Sequence, residues 1–97
     1  MENVDFSAFL DAYKGDLIDA INSLNQTDLK QLANEILSVM DNGGTIHFIG
    51  NGGSAATPSH SAGDWSKELG VKTVCHTDNT ASLTAWANDT GYANIFA

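Results

Sequence analysis

The stretch TIHFIGNGGSAATPSH, residues 45–60, decides how the rest of the chain is read. A short apolar run at 45–49 passes directly into Gly50, Asn51, Gly52, Gly53 and Ser54, and then into a segment of helical character. Strand, glycine-rich turn and helix in that order open a βα unit. The continuous apolar run predicts a strand buried on both faces, as in a parallel sheet. Turns of this kind hold anions, because successive N–H groups and the positive end of the helix point at one place. Pro58 belongs in the first turn of a helix, where a missing N–H costs little, so the helix is expected to start near residues 54–57.

Upstream, apolar residues Phe6, Phe9, Leu10, Tyr13, Leu17, Ile21 and Leu24 recur at spacings of three and four, which predicts an amphipathic helix over 5–24. A second helix is expected over 28–41, with Thr27 as its cap and Asn42-Gly43-Gly44 as its stop. Downstream, 71–76 read as a second strand and 82–88 as a further helix. Two leading helices followed by βαβα predict an α/β fold with a parallel sheet, divided into a helical lead over 1–44 and the start of the sheet core over 45–97. Two parallel strands make a poor sheet, so the chain is expected to be the front part of something larger.

Composition narrows the partners. The 97 residues carry a net charge of −8, with four lysines and no arginine. Nucleic-acid affinity rests largely on Lys and Arg contacts to phosphate, so direct binding to DNA or RNA is not expected. Any anion at the turn must be held by backbone N–H groups, hydroxyls and the helix dipole, without an arginine clamp. No apolar run reaches the roughly 20 residues that span a bilayer. The start, MENVDFSAF, lacks the basic and apolar regions of a signal peptide, so a cytoplasmic protein is expected. The single cysteine, Cys75, sits in an apolar run and is read as a buried structural residue.

Several readings of the turn compete. A nucleotide-binding P-loop needs a lysine after its second glycine, and none lies between Lys30 and Lys67. Gly50, Gly52 and Ala55 match a dinucleotide fingerprint, but the acidic residue that should follow, Asp78, comes late. A substrate-binding turn for an anionic or hydroxyl-rich ligand remains open, as does an ordinary βα connection with no ligand. His60 and Asp64 are four apart and share one helix face. Such a pair is half of a divalent-metal site or a surface hydrogen bond.

The blocks GNGGSAATPSHSAGDW and LTAWANDTGY together resemble the sugar isomerase (SIS) domain, and within it the phosphoheptose isomerases. The resemblance covers most of the chain and is sharpest over 49–96. It implies a three-layer, flavodoxin-like α/β sandwich around a parallel sheet, assembled as a homotetramer with contacts through the first helices. It implies conversion of sedoheptulose 7-phosphate to the heptose 7-phosphate used in bacterial surface sugars. By the same resemblance Asn51, Gly52, Gly53, Ser54, Asp64, Asn88 and Asp89 contact substrate, His60 and Asp64 bind zinc, and Asp64 is the catalytic acid/base. The chemistry suits these residue types, since an enediol route needs an acid, a base and a group that polarises the carbonyl oxygen. The best-known members carry glutamate where this chain has Asp64, and other relatives carry aspartate. The shorter side chain moves the carboxylate by roughly 1 Å, a displacement that matters to rate. The family's serine-rich phosphate loop, its other zinc ligands and its catalytic histidine are expected beyond residue 97.

Among the remaining residues, His47 reads as a packed sheet residue and His76 as the end of a strand near the ligand edge. Trp65 and Trp86 read as core or interface residues. Asp11, Asp16 and Asp19 read as a solvated helix face. Beside the isomerase stand two other classes. One is a non-catalytic SIS protein that binds a phosphosugar or a partner such as a replication initiator. The other is a dinucleotide-binding fold.

Overall fold

A computed structural model of the chain describes residues 3–97; Met1 and Glu2, where the reading against a signal peptide begins, lie outside the described residues. The chain forms two compact units, residues 3–34 and 35–97. The first holds helix α1, Phe6–Asn22, and the beginning of α2, Gln26–Asp41. Asp5 caps α1 by accepting the Ala8 N–H at 3.1 Å. Asn25, not Thr27, caps α2: its Oδ1 accepts the N–H groups of Thr27 at 2.8 Å and of Asp28 at 3.2 Å. Asn can satisfy two orphan donors with one short side chain, and it sits one residue before the helix, where the cap must be. The apolar residues of α1 that the spacing placed on one face are present as such, and they stay exposed, Phe6 at 78% and Phe9 at 64%.

The second unit holds the end of α2 and the βαβα segment. Strand β1, Thr45–Phe48, pairs in parallel with β2, Lys72–Cys75, in the register Ile46 to Thr73 and Phe48 to Cys75. Helix α3, Ala56–Leu69, connects them, and α4, Thr80–Thr90, follows β2. This is the mixed α/β architecture with a parallel sheet that the sequence predicts. The helix start near 54–57 is also found: Gly52–Ala55 make a 3-10 turn that runs into α3 at Ala56.

Alternation along the strands sets which side α3 covers. Ile46 and Phe48 face α3, where the Phe48 ring meets Trp65 edge-on at 5.6 Å. Thr73 donates its hydroxyl to the Ala62 carbonyl at 2.7 Å, which ties β2 to the middle of the helix. Ala62, Val71 and Cys75 are the buried apolar residues of this layer, so Cys75 occupies the structural role read for it. The expectation of a strand buried on both faces is not met among the described residues. The opposite side, with His47 and Val74, is exposed. His47 is therefore not packed into a core. Its ring stacks on His76 at 5.1 Å, with Nδ1 and Nε2 2.8 Å apart. No helix among the described residues is long and apolar enough to cross a membrane.

Candidate functional site

The site begins where β1 ends. Gly50 passes close under the turn: a Cβ there would run into the Ser54 carbonyl and come within 3.0 Å of the Pro58 ring. Only glycine lets the strand end lie this close to the first turn of α3. Gly50→Ala is expected to destabilise the fold by about 1–3 kcal/mol, the usual cost of forcing extra atoms into a filled space. Chemical denaturation measures this, and an unchanged midpoint would mean that the turn relaxes freely. Asn51 is extended, and Gly52 follows at φ +57°, a left-handed conformation that favours glycine. The Ser54 N–H closes the turn on the Asn51 carbonyl at 3.0 Å.

Around this turn lies a cleft of about 250 Å³ lined by Gly50, Asn51, Gly52 and Ala55 on one side and by Thr77, Thr80, Leu83, Tyr92 and Ile95 on the other. Gly53 and Ser54 continue the 3-10 turn directly after it. The far wall comes from the segment after β2; its threonine hydroxyls carry no sequence signal, and Tyr92 is marked only as the end of the LTAWANDTGY block. In the sequence this segment, HTDNT at 76–80, shows only as a polar run. Asn79 caps α4 by accepting the Ser82 N–H at 3.1 Å, which places Thr80 at the start of that helix. Ser59 of α3 donates its hydroxyl to Asp78 Oδ1 at 2.7 Å and so clasps the two walls.

The other predicted residues sit apart from the cleft. His60 Nε2 and Asp64 Oδ2 are 2.9 Å apart on α3, with side chains 78% and 51% exposed. His60 lines a separate shallow hollow of about 310 Å³ with Ala56, Thr57 and Ser61. Asn88 and Asp89 lie near the end of α4, where the Asn88 amide donates to Asp89 Oδ1 at 3.0 Å, and Asp89 lines a third hollow beside Trp86. The structure thus joins Asn51 and Gly52 in one cleft, His60 with Asp64, and Asn88 with Asp89. It does not bring these three groups into one cavity among the described residues. Nor do three or more His, Cys, Asp or Glu residues converge among them.

Comparison with known proteins supplies what geometry alone does not. Over 91 residues the chain is 34% identical to the phosphoheptose isomerase of Helicobacter pylori, covering 89% of this chain and 47% of that protein. Over 76 residues it is 37% identical to phosphoheptose isomerase 2 of Campylobacter jejuni, covering 73% of this chain and 38% of that one. The chain matches phosphoheptose isomerases at 34–37% identity over most of its own length. It spans less than half of either relative. A third relative, the lincomycin biosynthesis protein LmbN of Streptomyces lincolnensis, is 40% identical over 60 residues, covering 56% of this chain and 22% of that protein. No protein-family model matches the chain, and no solved structure does.

Proposed function

We propose that this chain carries part of the site of an aldose–ketose isomerase acting on a phosphorylated sugar, with sedoheptulose 7-phosphate as substrate and D-glycero-D-manno-heptose 7-phosphate as product. The observation that supports this most is the His60–Asp64 pair, 2.9 Å apart on the helix that the glycine turn opens, in a chain that matches phosphoheptose isomerases over most of its length. An exposed i,i+4 pair of this kind stabilises a helix by only about 0.3–0.5 kcal/mol. Stability is therefore a weak reason for these two residue types to stand there.

Isomerisation moves a proton between neighbouring carbons through an enediol. Asp64 takes that proton and returns it, and His60 holds the carboxylate in place through their shared contact. Asn51, Gly52, Gly53 and Ser54 offer N–H groups and a hydroxyl to the sugar. Asn88 and Asp89 suit further hydroxyls, since both accept hydrogen bonds and Asn also donates. The His60 nitrogen and Asp64 oxygen form a donor set that suits zinc and would fill two of its four positions. Bound zinc supplies polarisation of the carbonyl oxygen. In this reading the other donors come from outside the described residues. A homotetramer in the cytoplasm, serving surface-heptose synthesis, completes the proposal, and the exposed Phe6, Phe9 and Tyr13 of α1 are its candidate subunit contacts.

A second reading is a SIS protein that binds a phosphosugar or a partner without chemistry. The separation of Asn88 and Asp89 from the turn favours it. One experiment separates the two: incubation with sedoheptulose 7-phosphate, with the aldose product and bound zinc measured together. Turnover with zinc supports the isomerase. Binding without turnover or metal supports the second reading, and neither binding nor turnover removes both.

A further inference from the structure

The chain contains two Asn-Gly dipeptides, Asn42-Gly43 and Asn51-Gly52, and the fold treats them differently. Asn-Gly is the pair most open to intramolecular attack, because no Cβ shields the following backbone nitrogen. At the end of α2 both reacting groups are engaged. The Asn42 amide donates to the Ser38 carbonyl at 2.8 Å, and the Gly43 N–H donates to the Met40 carbonyl at 3.1 Å. In the turn after β1 neither is held. Asn51 is exposed, its side chain caps nothing, and a Cβ built on Gly52 would meet open space. The Gly52 N–H takes part in none of the turn's backbone bonds.

We infer that Asn51 is a site of spontaneous deamidation selected by the fold, and that its conversion places a carboxylate inside the glycine-rich turn. The Gly52 nitrogen gives its proton to solvent base and attacks Asn51 Cγ. The new N–Cγ bond forms as the Cγ–Nδ2 bond breaks, and the amide leaves as ammonia. Water then opens the five-membered imide at either carbonyl, which yields aspartate or its isomer with an extra backbone methylene. No oxidant or further reactant takes part. Asn51 must first swing out of its extended conformation, and the freedom at Gly52 permits that. The product adds a negative charge beside the Gly52 N–H, which has no backbone partner, and that charge opposes any anionic ligand. The chemistry stands apart from the proposed function; only the consequence for sugar-phosphate binding rests on it.

The test is peptide mapping by mass spectrometry of the full chain aged at mildly alkaline pH, folded and in urea. In urea the two dipeptides should convert at similar rates. In the folded protein Asn51 should outpace Asn42 by at least about tenfold, the factor imposed by about 1.4 kcal/mol of local opening. Asn51→Gln should abolish conversion at that position, since its longer side chain closes the ring poorly. A folded-state ratio equal to that in urea, or conversion led by Asn42, would overturn the inference. The mapping reads covalent change alone, so its failure is distinct from a failure of the isomerase reading.

Discussion

Asp64→Asn is expected to lower turnover of sedoheptulose 7-phosphate by about 10²–10⁴-fold, the range that a positioned acid or base contributes. The substitution keeps the shape of the side chain and its reach to His60, and removes the negative charge, and with it the capacity to carry a proton and to serve as an anionic zinc ligand. Asp64 lies on the exposed face of α3, while the helix is anchored from its other side by Trp65 on Phe48 and by the bond from Thr73 to the Ala62 carbonyl. Folding should therefore be unaffected, and circular dichroism and the melting temperature serve as the control. Steady-state kinetics make the measurement: kcat should fall, with KM changing less. Turnover within a few-fold of the parent would take Asp64 out of the proton transfer.

His60→Ala is expected to weaken zinc binding by at least about 100-fold. Loss of a partner that merely orients a metal ligand costs 10–100-fold, and loss of a ligand costs more. Turnover should fall with it. Metal content after dialysis and a competition titration against a chelator read the first effect independently of catalysis. The helix should again remain intact, since an exposed pair contributes only about 0.3–0.5 kcal/mol. Retained zinc in this variant would show that the pair is a surface hydrogen bond. Retained activity with zinc lost would detach the metal from the reaction.

Much of the fold was legible because its signals are local. The apolar run at 45–49, the glycines after it and Pro58 each carry a backbone meaning that neighbours do not alter, and β1, the turn and the start of α3 fall where they predict. The spacing of apolar residues located α1 for the same reason, and Asn42-Gly43-Gly44 marked the end of α2. The cap of α2 was misplaced by two residues, because Thr27 and Asn25 are both good caps by type and only the backbone path decides between them. Contacts between distant residues were not legible. His47 meets His76 across 29 positions through the register of two strands, and Ser59 meets Asp78 across 19 through the packing of a helix on a turn. The far wall of the cleft depends on where the chain goes after β2, so Thr77 and Thr80 carried no signal of their own, and Tyr92 was legible only as the end of the LTAWANDTGY block. The burial expected on both faces of β1 assumed neighbours on each side, and α3 supplies one.

The central claim is that the turn at 51–54 holds a phosphorylated sugar. The most direct measurement is a titration of the isotopically labelled protein with sedoheptulose 7-phosphate, followed through its backbone amide resonances. The account predicts saturable shifts concentrated at Asn51, Gly52, Gly53 and Ser54, with the unphosphorylated sugar producing much smaller ones. Amides that stay in place at the turn while the ligand is in excess, or shifts confined to other parts of the chain, would contradict it.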